Sequence, residues 1–175
     1  MCSTASTPEL RFVVQRHRAR RLHYDFRLEI DGVLVSWAVP KGPTLDPAVR
    51  RAAFRVDDHA LDYVDFEGVL PSGEYGAGDV IVWDAGTWTA SDPVVRTDPG
   101  SALRAGELHV DLAGQKISGR LALVRTSIEN AGKERWLLIH KRDAHAVAGW
   151  DPEDHPYSVL SGRTNDEVRL DADRA

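Results

Sequence analysis

The sequence predicts a mainly β fold, an antiparallel barrel or sandwich with a few short helices. Short segments rich in β-branched and aromatic residues recur along the 175 residues, and glycine-containing turns separate them. Long stretches with helical periodicity are missing. A chain of this length is long enough for one domain with its own hydrophobic core.

The first strands carry the clearest signals. Phe12–Gln15 is short and β-branched, and residues 22–30 alternate between apolar and polar side chains. Asp31-Gly32 then predicts a two-residue hairpin turn, after which Val33–Val39 returns as the next strand. An aspartate cap followed by proline predicts a short helix over residues 46–53.

Further strands follow at short intervals and are separated by glycine turns. A glycine-rich loop, Pro71-Ser72-Gly73-Glu74-Tyr75-Gly76-Ala77-Gly78, precedes the second half of the chain. The remaining predicted strands cover residues 54–56, 79–83, 108–112, 120–125 and 136–139.

Composition divides the chain into three parts. Residues 1–10 are predicted to be a flexible N-terminal tail, residues 11–150 a β domain, and residues 151–175 an acidic, polar C-terminal tail or wrap. The net charge is -5, and most of the excess negative charge lies in the C-terminal part. The arginines around residues 16–21 form either a solvated surface turn or a basic patch for a phosphate backbone.

The chain's compartment is predicted from its single cysteine and its lack of export signals. Cys2 alone excludes a disulfide framework and fits a reducing compartment. No apolar run approaches the roughly 20 residues that span a bilayer, and the first residues do not resemble a signal peptide. We therefore expect a cytoplasmic protein without a membrane partner.

The polar face of residues 22–30 suggests a metal site. His23 and Asp25 are two residues apart on one strand and can reach one ion, and His17 can supply a third ligand. Such a set suits Mn²⁺, Fe²⁺, Co²⁺ or Zn²⁺, although a polar strand face with an incidental histidine is the commoner case. Arg27 on the same face would repel a metal unless an anion, such as a phosphate, bridges the two.

Further along the chain, other side chains suit a phosphate. Lys41 and Arg51 could bind phosphoryl oxygens together with Arg27, because arginine binds them bidentately and lysine as a point charge. His59, followed by Tyr63, could donate a proton or stabilise developing charge. Each residue taken singly is also consistent with an ordinary surface charge.

Several long motifs resemble one known family. They are Phe12-Val13-Val14-Gln15-Arg16-His17, Leu22-His23-Tyr24-Asp25-Phe26-Arg27-Leu28-Glu29 and Ser36-Trp37-Ala38-Val39-Pro40-Lys41-Gly42-Pro43, with shorter ones as far as Trp88. Together they resemble the 3′-phosphoesterase domain of bacterial DNA ligase D. The resemblance runs from about Phe12 to about Ala144, and suggests a stand-alone phosphoesterase or a piece of a longer chain.

The resemblance implies a compact antiparallel β-barrel with an active-site groove on its outer surface. It also implies healing of DNA 3′ ends in non-homologous end joining, by removal of a terminal ribonucleoside and then of the 3′-phosphate. Mn²⁺ would be the cofactor, with Co²⁺ or Zn²⁺ as substitutes. The implied partners are primer-template DNA 3′ ends, and possible ones are the polymerase and ligase components of ligase D and the Ku protein.

The resemblance also implies site roles for particular residues. The metal ligands would be His17, His23 and Asp25. The residues that hold or activate the scissile phosphate would be Arg27, Lys41, Arg51, His59 and Tyr63. Gln15, Asp57 and Asp58 would lie close to these groups.

Two other functions are compatible with the residues alone. His23 and Asp25 could begin the facial triad of a non-haem Fe(II) oxygenase, with His109 or His140 as the distal ligand. That reading leaves His17 and the cationic residues without a role. The chain could also be a non-catalytic module that binds DNA ends, in which case binding would depend steeply on salt and yield no product.

Overall fold

A computed structural model describes residues 9–73, 76–91 and 98–174. Residues 1–8, which make up most of the predicted N-terminal tail, and Tyr75 of the glycine-rich loop lie outside the described residues.

The predicted mainly β fold is confirmed, and it is a closed antiparallel barrel. The strands are β1 (Leu10–Arg18), β2 (Leu22–Ile30), β3 (Val33–Val39), β4 (Arg50–His59), β5 (Gly68–Leu70), β6 (Gly78–Ala90), β7 (Glu107–Gly114), β8 (Ser118–Ile128) and β9 (Glu134–His140). The barrel order is β1-β2-β3-β4-β9-β8-β7-β6, and pairing of β6 with β1 closes the ring. β5 pairs with β6. The described helices are α1 (Pro99–Ala105) and α2 (Asn165–Asp173).

Aromatic side chains fill the barrel interior. Trp37, Trp83, Trp88 and Trp136 are all buried, and the rings of Trp37 and Trp136 meet edge to face at 5.5 Å. On β2, the apolar side chains from Tyr24 to Ile30 belong to this core. The alternate side chains of β2 therefore face away from the barrel interior.

The hairpin between β2 and β3 has the predicted bounds. Asp31 and Gly32 both have positive φ angles, 50° and 84°, as a two-residue turn of type I′ requires. The turn pairs Ile30 with Val33, and this register places Ser36 opposite Arg27.

The prediction of a helix over residues 46–53 is wrong. The Asp46 carboxylate does accept a hydrogen bond from the backbone of Ala48, but it also accepts one from the backbone of Gly149 and stabilises a turn. β4 begins at Arg50, and residues 50–54 pair with β9. Pairing across the barrel therefore outweighs the local capping signal and the good helix formers that follow it.

The C-terminal segment is joined to β1 by buried hydrogen bonds. Arg16 donates to Asn165 Oδ1 at 2.7 Å and to Glu153 at 2.8 Å. Asn165, only 1% exposed, returns hydrogen bonds to the Arg16 carbonyl and to Asp79. Thr164 and Glu167 form a capping box that starts α2 at this point. Neither α1 nor α2 was expected from the sequence.

Replacing Asp79 by asparagine is expected to lower the free energy of unfolding by about 3 kcal/mol at pH 7. Arg18 and Arg169 donate to the buried Asp79 carboxylate at 2.7 Å and 3.3 Å, so the substitution removes the buried negative charge that they share, while Arg18 keeps its pair with the exposed Asp166. Urea unfolding measures the change. Asp171→Asn is the matched control, because its ion pair with Arg163 is solvent-exposed and contributes about 0–1 kcal/mol.

The difference in the free energy of unfolding between the wild type and Asp79→Asn should depend on pH. Burial alone would raise the pKa of Asp79, but Arg18, Asn165 and Arg169 outweigh it and lower the pKa below its ordinary value of 3.8. The stabilisation is therefore present above that value and is lost as the pH falls below it. A stability difference between wild type and Asp79→Asn that stayed constant into acid would contradict this account.

Within residues 9–73, 76–91 and 98–174, no helix has the length and apolar character needed to cross a membrane.

Candidate metal and phosphate site

The three predicted metal ligands meet at one end of β1 and β2. The strand register pairs His17 directly with His23, and Asp25 follows two residues later on the same face. One carboxylate oxygen of Asp25 lies 3.5 Å from His17 Nδ1 and 3.3 Å from His23 Nε2. The potential ligand atoms of the three residues all lie within 4.8 Å of one another.

The charge of Asp25 and the hydrogen bonds of the two imidazoles define what these side chains offer a divalent cation. Burial would raise the pKa of Asp25, but His17, His23 and Arg27 outweigh it and hold the pKa well below its usual range. Burial would lower the pKa of His23, but Asp25 outweighs it and raises that pKa. In the neutral ring, Nδ1 donates to the Arg21 carbonyl oxygen at 3.0 Å and the lone pair is on Nε2, facing Asp25. His17 Nε2 is buried and has no hydrogen-bond partner among the described residues.

These residues therefore fit a divalent metal. A buried nitrogen without a partner is costly in a folded protein unless it serves a ligand. Two imidazoles and one carboxylate, with coordination positions left open, match the donor set preferred by Mn²⁺, Fe²⁺, Co²⁺ or Zn²⁺.

Arg27 lies beside the metal ligands and is held rigidly. It is 3% exposed; its Nε donates to Gln15 Oε1 at 2.6 Å and its Nη1 to Ser36 Oγ at 2.8 Å. Its Nη2 lies 3.4 Å from Asp25. Gln15 is itself fixed, because its amide donates to the Tyr63 backbone carbonyl at 3.0 Å. A buried guanidinium with preset neighbours is well suited to bind an oxyanion.

His59 and Tyr63 also lie against Arg27, with His59 next to Nη1 whereas Asp25 is next to Nη2. His59 ends β4, and Tyr63 lies in a 3₁₀ turn over Leu61–Asp65. Their ring centres are 5.0 Å apart, and the Arg27 guanidinium lies 5.2 Å from the centre of the Tyr63 ring. Burial and the nearby Arg27 charge lower the pKa of His59, whereas burial raises the pKa of Tyr63.

A pocket of about 510 Å³ joins these groups on the outer face of the barrel. It is lined by His17, Ala19, His23, Asp25, Arg27, Ala38, Val56, Asp57, His59, Tyr63, Leu70 and Gly76. The fold thus brings together the predicted metal ligands and three of the predicted phosphate-binding residues, with Asp57 at the wall.

Lys41 and Arg51 do not line this pocket. Lys41 is exposed, two residues beyond the end of β3. Arg51 pairs with Leu138 on β9, and strand alternation puts it on the same side of β4 as the buried Ala53. Its Nε is buried and has no hydrogen-bond partner among the described residues. Asp58 forms an ion pair with Arg55 at 3.1 Å.

The two distal histidines suggested for an oxygenase site do not line the pocket either. His109 on β7 contacts Glu107 at 2.9 Å. Both ring nitrogens of His140 lie within 2.8 Å of backbone carbonyl oxygens, those of Lys141 and Ser118. Neither histidine is available to complete a triad with His23 and Asp25.

Ser36 and Gly76 were not expected at the site. Ser36 accepts the hydrogen bond from Arg27, and the hairpin turn contains the signal for it, because a two-residue turn at Asp31-Gly32 sets Ser36 opposite Arg27. Gly76 lines the pocket near the His17 ring and has a φ of 80°, which glycine adopts without strain. No local pattern in the sequence assigns it to the pocket.

A family model described as the DNA ligase D 3′-phosphoesterase domain matches residues 15–125. These residues are more than half of the chain and include all of the pocket-lining positions. The chain belongs to this family. The resemblance seen in the sequence is thereby confirmed, and the family's name describes phosphoesterases, which are hydrolases.

Relatives of this family member occur in several bacteria. The chain is 55% identical, over 91% of its length, to the multifunctional non-homologous end joining protein LigD of Pseudomonas aeruginosa. It is 52% identical over 72% of its length to the DNA repair protein LigD of Mycobacterium tuberculosis, and 44% identical over 76% to LigD of Mycolicibacterium smegmatis. It spans 19%, 15% and 17% of the length of these three relatives.

Proposed function

We propose that this 3′-phosphoesterase family member is a metal-dependent hydrolase that heals DNA 3′ ends in non-homologous end joining. It would remove a 3′-phosphate, and a terminal ribonucleoside before it, to leave a 3′-hydroxyl. One observation carries the proposal: a cation site and an anion site share one pocket, with Arg27 Nη2 3.4 Å from the Asp25 oxygen that both histidines face. The names of the relatives support DNA ends as the substrate.

His17, His23 and Asp25 would hold the metal, with Mn²⁺ as the proposed ion and Co²⁺ or Zn²⁺ as substitutes. Such an ion polarises a phosphoryl group and lowers the pKa of bound water.

Arg27 would bind the phosphoryl oxygens and stabilise the charge that develops on them. Its position is set in advance by Gln15 and Ser36, so little reorganisation is needed when the phosphate binds. Lys41, which is exposed and lies outside the pocket wall, would bind the DNA near its end rather than the reacting phosphate. Arg51 lies on the side of β4 that carries the buried Ala53, so we propose no DNA contact for it.

His59 and Tyr63 would act on the leaving oxygen or hold the phosphate. His59 Nδ1 lies 3.0 Å from the Asp57 carbonyl and 3.1 Å from Arg27 Nη1. Its Nε2 makes no hydrogen bond within the part of the chain that the structure describes, so it is free for the substrate. The raised pKa of Tyr63 keeps its hydroxyl protonated and able to donate.

Phosphate release from a primer-template with a 3′-phosphate, in the presence of Mn²⁺, tests the proposal. We expect release of inorganic phosphate and a primer that a polymerase can extend, with no release from a 5′-phosphate or in excess chelator. A second substrate with one terminal ribonucleotide tests the diesterase step. DNA binding without any product, whichever metal is added, would contradict the proposal and indicate a non-catalytic end-binding module.

The pKa of His59 in the free protein is expected to lie below the ordinary imidazole value of 6.5. Burial and the Arg27 charge both disfavour the protonated ring, so the neutral form persists to lower pH than usual. NMR titration of the imidazole measures this. In Arg27→Met the pKa should rise, and a wild-type pKa at or above the ordinary value would contradict this description of the site.

The proposed substrate also suggests where the protein works and with what. A DNA-end function would place the chain in the bacterial cytoplasm with the chromosome. Polymerase and ligase activities that act on the healed end, and the end-binding protein Ku, are its proposed partners.

A further inference from the structure

A single row of side chains crosses the barrel from the metal ligands to β9. The strand registers pair Asp25 with Ala38, Ala38 with Phe54, and Phe54 with Arg135. Residues paired in this way point to the same face, and neighbouring strands lie about 4.8 Å apart. Phe54 is therefore two strand spacings, about 10 Å, from Asp25 along the row. The small side chain of Ala38, which lines the metal pocket, is the only one between them in the row.

Phe54 presents an aromatic ring to solvent at this position. The residue is 36% exposed, whereas the tryptophans of the barrel core are buried. The Arg135 guanidinium carbon lies 5.5 Å from the centre of the ring. A phenylalanine on the outer face of the barrel therefore keeps about a third of its apolar surface in water, where a ligand can cover it.

A second cavity, of about 470 Å³, surrounds Phe54 and shares part of its wall with the metal pocket. Its lining residues are Phe54, Arg55, Val56, Asp57, Glu129, Lys133, Glu134 and Arg135. Val56 and Asp57 belong to the lining of both cavities. A strand of DNA whose end lies in the metal pocket can thus continue over Phe54.

The charges in the second cavity do not favour a phosphate. Arg135 is paired with Glu129 at 3.4 Å, and Arg55 with Asp58 at 3.1 Å. Three acidic residues of the lining oppose its three basic ones. What the cavity offers a ligand is the solvent-exposed part of the Phe54 ring with the Arg135 guanidinium over it, a combination on which nucleobases stack.

We propose that Phe54 and Arg135 form a stacking site for a base at the 3′ end of the DNA. The phosphate of that strand would be held by Arg27, while the base of the terminal or penultimate nucleotide lies against Phe54. The site would accept any base, since every base has a π-face. This inference rests on the proposed function for the phosphate pocket.

Kinetics with normal and abasic substrates test the stacking site. The substrates are oligonucleotides that carry a 3′-phosphate and have either normal bases or abasic residues at the last two positions. For the normal substrate, Phe54→Ala and Phe54→Leu should each raise KM about tenfold, while Phe54→Tyr should leave it near the wild-type value. For the abasic substrate the four proteins should have similar KM values. Leu170→Ala, which removes an exposed apolar side chain on α2, is the control and should change neither KM.

A binding measurement that needs no turnover completes the test. Phe54→Trp adds an exposed indole to a protein whose other barrel tryptophans are buried, and its fluorescence should be quenched by the normal oligonucleotide but not by the abasic one. Unchanged KM in Phe54→Ala with an active wild type, or an equal change for both substrates, would overturn the stacking site alone. If the wild type releases no phosphate, the proposed function fails, and the quenching experiment decides the stacking site by itself.

Discussion

Replacing Asp25 by alanine is expected to reduce the rate of phosphate release about 10³-fold or more. The Asp25 carboxylate is the point at which both histidines and Arg27 converge, at 3.3–3.5 Å. Without it the pocket loses the carboxylate of the proposed metal site and retains a buried arginine beside two imidazoles. Steady-state kinetics on the 3′-phosphate primer-template, together with calorimetric titration of Mn²⁺, measure the loss of turnover and of metal affinity.

The control for this variant is Asp111→Ala. Asp111 is an exposed acid of β7 that pairs with Arg120 at 3.3 Å and does not line the metal pocket. It should keep both turnover and metal affinity. If Asp25→Ala kept wild-type turnover, the assignment of the metal ligands would be wrong.

Replacing Arg27 by methionine is expected to lower kcat about 10²- to 10³-fold without weakening metal binding. The guanidinium is the buried cation of the pocket, and it contacts Gln15, Ser36 and Asp25, so its loss removes the preset anion-binding group. Because its charge also opposes a cation at Asp25, Mn²⁺ should bind as tightly as before or more tightly. The two measurements therefore change in different directions.

Arg27→Lys separates charge from geometry. Lysine keeps the positive charge but cannot donate to Gln15 and Ser36 in the fixed geometry of a guanidinium, so we expect a loss of kcat close to that of the methionine variant. A thermal melt of each variant checks that the barrel is intact. Wild-type kcat in Arg27→Met would show that the phosphate is held by other groups.

The sequence predicted the β2–β3 hairpin and the grouping of His17, His23 and Asp25 because both depend on local rules. Alternation over residues 22–30 separates the core face from the polar face, and the turn at Asp31-Gly32 sets the register of the strand that follows. His17 reaches the same place because β1 returns directly into β2 through a short turn.

Other features depend on contacts that local patterns do not reveal. The helix predicted over residues 46–53 gave way to pairing of β4 with β9, some 80 residues further along the chain. The predicted strand in this region began at Phe54, so the side of the strand on which Arg51 lies could not be worked out. Asn165 lies in an acidic, polar sequence, yet it is buried because Arg16 and Asp79 supply its hydrogen bonds.

The placement of His59 and Tyr63 could be predicted from the sequence only in part. Their residue types suggested phosphate chemistry, but their distance from Arg27 depends on the bulge-containing pairing of β3 with β4 and on the 3₁₀ turn that follows β4. The turn is fixed to the barrel by the Gln15 amide, which donates to the backbone carbonyls of Tyr63 and Phe66. A single buried glutamine thus links the aromatic wall of the pocket to Arg27.

The most direct test of the whole account is anomalous diffraction from crystals of the protein soaked with Mn²⁺ and inorganic phosphate. We predict one strong anomalous peak among His17, His23 and Asp25, with phosphate density between that peak and Arg27. No peak at these three side chains after the soak, or a peak elsewhere with the three side chains turned apart, would contradict it.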